Sequence, residues 1–390
     1  MEKLGLIDSL FFLQISATLI YIFFLSICTI GLRRIKSNPV NNDRPFISVV
    51  IAARNEEENI GACLRHLAQQ KYPRTRYEVI VIDDHSEDNT HSIVESFGKD
   101  NVMLLSLHDT DGVSPKKAAL HQGIKASRGE IILTTDADCC ASPLWIETMV
   151  SYFGAKTGVV ASWLTVEENK SLLSKLERLD SLSLSLVGAA GFGLKRPFMA
   201  NGANFAYRRK VYDELNGFAG VDAYASGDDD LLLQKVHASQ NWECAFAPDA
   251  RCAVVTKANR DLRGFFAQRF RWASKGRIYP KILFLLESFI YFYYLSLPVA
   301  MILFILNGFV NLYILLPLAL KFMADFIFMR LAARKLQEKI NPFILFITEW
   351  LQIAYVLLSG VWGLWGTYSW KGRRYTKGKV RMNRSSSRTR

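Results

Sequence analysis

Phe46-Ile47-Ser48-Val49-Val50-Ile51-Ala52-Ala53 is a short, largely β-branched apolar run, and Arg54-Asn55-Glu56-Glu57-Glu58-Asn59 follows it at once. An apolar stretch this short with no alternation describes a strand covered on both faces, as in a parallel sheet. The pattern recurs. Glu78-Val79-Ile80-Val81-Ile82 runs into Asp83-Asp84-His85-Ser86-Glu87-Asp88, and Glu130 to Thr134 runs into Asp136-Ala137-Asp138. Helical patterns extend from the Arg54–Asn59 segment through Gln70, around Thr90 to Phe97, and from Lys116 to Ser127. Strands alternating with helices predict an α/β domain with a mostly parallel sheet and right-handed crossovers. Ligands of such sheets bind beyond the carboxyl ends of the strands, so the acidic clusters that follow each strand should converge on one cleft.

Outward from this core the chain changes character. Of 390 residues, 50% are apolar and 22% charged, and the long apolar runs lie near the two ends. This composition excludes a disordered chain, a collagen-like repeat, a small disulfide scaffold and an ordinary soluble enzyme. Leu10 to Leu32 has the ~20-residue length of a bilayer crossing, and Arg33, Arg34 and Lys36 follow it. Residues 1–32 are therefore read as an uncleaved transmembrane anchor, with the basic flank and the domain behind it on the cytoplasmic side of the plasma (inner) membrane. Residues 33–259 form the cytosolic domain and 260–280 an amphipathic interfacial helix. Residues 281–370 hold three further apolar segments, Ile282 to Leu306, Phe309 to Met329 and Phe343 to Trp365. Three crossings would put the C-terminal tail outside, against the positive-inside rule. The basic loop Arg330, Arg334, Lys335 and Lys339 also favours the cytoplasm, so one segment is expected to be re-entrant or interfacial.

Nine of the twelve net positive charges fall in the tail, residues 371–390, which has no acidic residue. The tail follows Trp362, Trp365, Tyr368 and Trp370, and aromatics beside a basic cluster describe a membrane interface rather than a nucleic-acid site. The six cysteines (Cys28, Cys63, Cys139, Cys140, Cys244, Cys252) include no CxxC pair and no zinc spacing, which fits small buried thiols in a reducing compartment. The histidines show no ligand spacing, and no Gly-rich phosphate loop is present, which disfavours ATP or dinucleotide chemistry.

Seven elements, in order, carry a resemblance to a known family. They are Ala53-Arg54-Asn55-Glu56-Glu57, Asp83 to Asp88, Lys116-Lys117-Ala118-Ala119-Leu120 with Gly123-Ile124, and Asp136-Ala137-Asp138. After them come Gly202-Ala203-Asn204 with Arg208-Arg209 and Gly217-Phe218, then Asp228-Asp229, and Gln268-Arg269-Phe270-Arg271-Trp272. From about Pro45 to Arg277 the chain resembles the family 2 glycosyltransferases of the GT-A fold. Its membrane arrangement is similar to that of cellulose or hyaluronan synthase-like and ceramide glucosyltransferase-like members.

The resemblance implies a nucleotide-sugar-binding, Rossmann-like domain with transmembrane helices at both ends. It implies donor contacts from Ala53, Arg54, Glu56, Asp83, Asp84 and Asp136, and from Lys116 or Lys117, between which the sequence does not choose. It makes Asp138 the ligand of Mg2+ or Mn2+, where two carboxylates beside a diphosphate suit a hard dication with open coordination positions. Within Asp228-Asp229-Asp230 adjacent carboxylates repel and raise at least one pKa, as a general base requires. Matching Lys235 to the family's basic position makes that base Asp229; a shift of one makes it Asp228. Gln268, Arg271 and Trp272 share a helix face at i, i+3, i+4 and, with Asn204, imply contacts to phosphate and acceptor.

The activity implied is inverting transfer of a sugar, most simply from a UDP-sugar, to a lipid-linked or polysaccharide acceptor at the membrane. A processive synthase-translocator and a non-catalytic nucleotide-sugar-binding scaffold are the alternatives.

Overall fold

The computed structural model describes residues 2–37, 39–98, 101–108, 110, 113–224, 226–306, 315–365, 367–371, 373–376 and 379–380. The strands are β1 (Ile47–Ala53), β2 (Tyr77–Asp83), β3 (Val102–Ser106), β4 (Ile131–Thr134), β5 (Cys139–Ala141), β6 (Thr157–Ala161), β7 (Leu164–Val166), β8 (Phe205–Arg208), β9 (Glu243–Phe246), β10 (Val254–Thr256), β11 (Thr367–Trp370), β12 (Arg373–Thr376) and β13 (Lys379–Val380). The helices are α1 (Glu2–Arg34), α2 (Ile60–Ala68), α3 (Thr90–Ser96), α4 (Pro115–Ala126), α5 (Trp145–Ser151), α6 (Leu172–Gly193), α7 (Arg209–Glu214), α8 (Asp230–Ser239), α9 (Leu262–Ala273), α10 (Lys281–Leu306), α11 (Leu316–Ala333) and α12 (Pro342–Trp365).

The central sheet has seven strands in the order β3-β2-β1-β4-β8-β6-β9, and only β8 runs against the rest. Its strands are buried on both faces. Ile47, Val49 and Ile51 of β1 join one core with Val79, Val81 and Leu133, while Val50 joins the other with Ile80, Ile82 and Ile132. This two-sided burial is why these strands are continuous apolar runs in the sequence. The chain passes from β1 outward to β2 and β3, then returns to β4 on the opposite side of β1. That reversal opens a crevice at the carboxyl ends of β1 and β4. A smaller sheet, β5-β10-β7, continues the wall beyond β4.

Two local expectations need correction. Helix α2 begins at Ile60, not in the Arg54–Asn59 run, because Asn55 turns the chain with φ 51° and Glu56 is drawn inward. Strand β3 was not expected. It is an edge strand with Met103 43% exposed, so its residues alternate weakly and carry no strong pattern.

Helices α1, α10 and α12 are long and apolar enough to cross a membrane, over Ser9–Arg34, Lys281–Leu306 and Pro342–Gly363. Helix α1 crosses α6 almost backbone to backbone: a Cβ on Gly193 would lie 1.9 Å from the Gly31 carbonyl oxygen. Helix α10 leads away from the domain and reaches the middle of α1, where the Tyr293 and Tyr21 rings stack at 4.9 Å. Helix α11 then runs back beside α1. Tyr21 donates to Asp325 (2.7 Å), and farther on Lys335 donates to the Ile35 carbonyl (2.9 Å) and Ser37 Oγ (2.7 Å).

The segment expected at Phe309 to Met329 is thus α11, and residues 307–314 lie outside the described chain. Lys321, Asp325 and Arg330 make α11 less apolar than its neighbours, and Lys321 is fully buried against Asp325 and Glu349. Helix α12 has domain contacts before and after it. Glu338 accepts from Arg178 (2.8 Å) ahead of it, and Lys371 pairs with Glu56 behind it. Its body packs on α9 and α6, with Trp362 stacked on Phe270 and Tyr355 bonded to Asp180. Although apolar enough to cross, α12 thus has contacts to the domain on both of its flanks.

Candidate active site

One cavity of about 600 Å³ lies at the carboxyl ends of β1 and β4. Its far end is closed by α6, α9 and the start of α10. Ala53, Arg54, Glu56, Asp84, Lys116, Asp136, Asp138, Asp228, Asp229, Gln268, Arg271 and Trp272 all line it. Residues more than two hundred positions apart are brought together there because most stand at a strand end or a helix start facing the crevice, while Gln268, Arg271 and Trp272 come from the last turns of α9.

At the β1–β2 end, Arg54 is fixed by its Nη1 donating to the carbonyls of Asp84 (2.7 Å) and His85 (2.9 Å). Asp83 turns inward to Ser86 and does not line the cavity, whereas Asp84 does. At the β4 end, Lys116 bridges Asp136 (2.8 Å) and Asp228 (3.1 Å). Burial works against its ammonium, but the two carboxylates outweigh that and hold its pKa above the ordinary lysine value. Lys117 points the other way. It is buried and donates to the carbonyls of Val221, Tyr224 and Ser226, each at 2.8 Å, and burial lowers its pKa to about 8. Of the two lysines, Lys116 faces the cavity and Lys117 pins the loop before α8.

Asp138 has Cys139 Sγ as hydrogen-bond partner (3.4 Å), and its pKa is raised to about 6 by burial, then by Asp136 and Glu56. A carboxylate kept this uncomfortable beside a second one fits a divalent cation as the missing neutralising charge. Among the described residues no group of three or more His, Cys, Asp or Glu side chains is arranged to hold a metal by itself. That suits Mg2+ or Mn2+, which take one or two carboxylates and complete their shell with water and substrate phosphate.

The three aspartates at α8 divide their tasks. Asp230 is fully committed: its oxygens accept from the Ala200 amide (2.8 Å), Lys275 (2.5 Å) and Tyr279 (2.7 Å). Asp228 is held ionised, since Lys116 and Lys117 overcome the burial that would raise its pKa. Asp229 caps α8, accepting from the Asp230 amide (2.7 Å) and the Gly202 amide (2.7 Å). Its pKa is raised to about 6 by burial and by the Asp230 and Asp228 charges, with Lys275, 3.8 Å away, in opposition. Lys235, matched to the family's basic position, donates to the carbonyls of Leu215, Gly217 and Ala219 and braces the loop ahead of α8.

On α9, Gln268, Arg271 and Trp272 share the cavity-facing side, and a buried layer sets them. Arg269 lies 4.4 Å from the ring centroids of both Phe265 and Trp272 and pairs with Asp180. Gln268 Oε1 accepts from Arg269 (2.6 Å) and Asn259 (3.2 Å). Asn204 differs from the expectation placed on it. It is wholly buried, donating to the Trp163 and Cys252 carbonyls (both 2.7 Å) and accepting from Trp145 Nε1 (3.0 Å), so it welds the two sheets and faces no ligand.

Residues 48–216 match the model of "Glycosyl transferase family 2". The match runs from β1 through α7. A probable glycosyltransferase of Bacillus subtilis, YdaM, is 28% identical over 253 residues, covering 63% of this chain and 58% of that one. The β-monoglucosyldiacylglycerol synthase of Trichormus variabilis is 30% identical over 245 residues, covering 60% and 49%. The chain spans about half the length of the curated relatives it matches. Mannosyltransferase PcManGT from Pyrobaculum calidifontis, solved with GDP-Man and Mn2+, superposes with a TM-score of 0.62 at 21% identity, covering 93% of this chain and 98% of that one. At that identity the likeness concerns the fold, which is of the GT-A type.

The cavity also contains residues that the sequence reading did not assign to it. The described part of the basic tail packs on the domain. Strands β11, β12 and β13 form an antiparallel sheet over the β1–β2 end of the cavity. There Arg373 pairs with both oxygens of Asp84, Lys371 pairs with Glu56, and the Lys371 carbonyl accepts from Arg54 Nε (3.2 Å). The tail's high charge pointed to lipid, and only long-range folding brings it to the cleft. Residues 377–378 and 381–390 of the tail lie outside the described chain. Lys275 and Tyr279 were missed as well; the spacing of Lys275, four residues after Arg271 and so on the same helical side, was the available signal.

Proposed function

We propose that the protein is a membrane-bound, inverting transferase. It moves a sugar from a nucleoside-diphosphate donor, of the UDP class, to an acceptor hydroxyl presented at the membrane, with Mg2+ or Mn2+ at Asp138 and Asp229 as general base. The observation that carries this reading is that Asp138 and Asp229 face one cavity with different surroundings. Asp138 lies beside Asp136 at the β4 end; Asp229 is held by two amides next to the helix that bears Arg271 and Trp272. The family match supplies the reaction class, and the relative from Trichormus, a glucosyldiacylglycerol synthase by name, supports a lipid acceptor.

In this reading Arg54, Glu56 and Asp84 hold the nucleoside, and Lys116 and Arg271 face its diphosphate. A dication at Asp138 would supply Lewis-acid neutralisation of the charge that collects on the departing diphosphate. The Asp229 carboxylate takes the proton of the acceptor hydroxyl as that oxygen bonds to the anomeric carbon and the carbon–phosphate-oxygen bond breaks. The electron pair leaves with the nucleoside diphosphate, and the displacement inverts the anomeric centre. Asp229, with its pKa near 6, is ionised at neutral pH and still basic enough to act. Arg33 and Arg34 at the end of α1, with Arg334 and Lys335 beside them, put positive charge on the domain side, which supports a cytoplasmic active site.

The test is nucleoside diphosphate release by detergent-purified protein given UDP-, GDP- and dTDP-sugars with Mg2+ or Mn2+. We expect metal-dependent release from a UDP-sugar and its loss in Asp138→Ala. Turnover indifferent to chelator and to Asp138→Ala would refute the metal assignment. Full cellular function in Asp229→Asn would favour a non-catalytic scaffold.

A further inference from the structure

Helix α10 carries one charged side chain between Ile282 and Leu306, and it is Glu287. A carboxylate in the opening turns of an otherwise uncharged membrane helix is costly and is kept where it has work to do. Glu287 lines the same cavity as Asp229, at the end walled by α6 and α9 and away from Asp84. Room has been left for it: a Cβ on Gly276 would stand 2.8 Å from Glu287 Oε2. Glu287 is exposed, and among the described residues no group makes a hydrogen bond or ion pair with its carboxylate, although the Lys275 charge is close enough to act on it. Lys275 is already engaged by Asp230 (2.5 Å) and Asp229 (3.8 Å), and Tyr279 by Asp230.

We infer that Glu287 is an acceptor-binding residue that accepts a hydrogen bond from an uncharged lipid headgroup bearing two donors, one the reacting hydroxyl at Asp229 and the other its neighbour. This rests on the glycosyl-transfer reading and narrows its acceptor. Ionised Glu287 offers only acceptor capacity, and in that form its partner is a donor such as hydroxyl or amide. An acceptor phosphate would meet Asp229 and Glu287 at a wall whose cation, Lys275, is already paired with Asp230. It would also have no need of a base, because its oxygen is already ionised. The wall of α6 facing this end is low and weakly polar, with Ser181, Ser185, Gly188 and Ala189, which suits the stem of a lipid more than a further charge.

The experiment uses the full chain in detergent with a radiolabelled UDP-sugar that the wild type turns over, and two probe acceptors, 1-monooleoylglycerol and decaprenyl phosphate. We expect transfer to monooleoylglycerol in preference to the phosphate. In Glu287→Gln the KM for monooleoylglycerol should rise about tenfold, the scale of one lost charged hydrogen bond of ~1.4 kcal/mol, with a smaller change in kcat. Glu287→Asp should fall between the two. Thermal stabilisation of each variant by UDP with Mn2+ reports that the donor site is folded. An unchanged KM in folded Glu287→Gln, or preference for decaprenyl phosphate, overturns the inference and leaves glycosyl transfer standing. Wild-type protein that releases UDP from no donor and transfers to neither lipid sinks glycosyl transfer itself, and this inference with it.

Discussion

At the scale of single residues the site works by unequal treatment of equal groups. Asp228, Asp229 and Asp230 are consecutive, but one is ion-paired, one is poised near pH 6 and one is spent on Lys275, Tyr279 and an amide. If Asp229 is the base, it must be deprotonated to act, so kcat/KM should rise with pH through about 6 and plateau above it. Asp138 also titrates near 6, but saturating Mn2+ competes with its proton and moves that step to lower pH. A pH profile at saturating Mn2+ that lacks an acid limb near 6 would count against Asp229. Asp229→Asn should cost about 10²- to 10⁴-fold in kcat while UDP still binds by calorimetry. Lys275 opposes the rise in the Asp229 pKa, so Lys275→Gln, which keeps a donor for Asp230, should shift the acid limb upward by about one unit. A limb that stays in place or moves down would exclude the electrostatic link.

Which of these residues the sequence could reveal follows from what decides them. The resemblance carries Asp138, Asp229, Arg271 and Trp272 as candidates, and all four line one cavity. Lys116 and Lys117 are neighbours on α4, and neighbouring helical residues point to different sides. Only the packing of α4 chooses which one enters the cavity. Asn204 carries a family motif and still belongs to the core, since its hydrogen bonds tie β6, β10 and α5 together through Trp163, Cys252 and Trp145. Asn204→Leu should strand the Trp145 N–H and the Cys252 carbonyl, costing about 1–3 kcal/mol for each group left without a partner, while the Trp163 carbonyl keeps the Val254 amide (3.4 Å); the loss is seen as a lower Tm in the presence and absence of UDP alike.

At the scale of elements, strands with both faces covered could be recognised from their runs of Val and Ile, and β3, half exposed at the sheet edge, could not. The tail sheet β11–β13 lies at the opposite extreme, because nothing local shows that a basic C-terminal segment folds back more than three hundred residues onto β1 and β2. Its position has a mechanistic consequence. Lys371 and Arg373 pair with Glu56 and Asp84 at the end of the cavity proposed for the nucleoside, and in that reading they offset carboxylates that would repel a diphosphate. Deleting residues 367–390 should raise the donor KM by about tenfold, a loss of ~1.4 kcal/mol, and increase hydrolysis of the donor by water relative to transfer. Arg373→Ala should show part of the same effect. A deletion that binds donor as tightly as the full chain, measured by calorimetry with UDP, would reduce the tail to a bystander.

For the whole molecule the question is how the chain threads the bilayer, and composition and contacts answer it differently. Hydropathy selects α1, α10 and α12, whereas the fold shows α11 returning beside α1 to the domain and α12 with domain contacts at both of its flanks. The buried Lys321, Asp325 and Glu349 explain the discrepancy: charges that satisfy one another inside the bundle make α11 look too polar to cross and still let it pack there. With α1, α10 and α11 crossing and α12 lying against α6 and α9, the basic loop at Arg334–Lys339 and the tail both come out on the side of the catalytic domain. The positive-inside conflict raised by three C-terminal crossings then disappears. Single reporter cysteines read by a membrane-impermeant maleimide in sealed, oriented vesicles would check this. Cysteines at Arg44, Lys339 and Lys371 should label from one side, and cysteines at Leu306 and Leu316 from the other. Labelling of Lys371 from the side opposite Arg44, with Lys339 labelled from the same side as Arg44, would mean that α12 crosses after all. The tail could then reach Glu56 and Asp84 only through a further crossing, for which the described chain offers no helix.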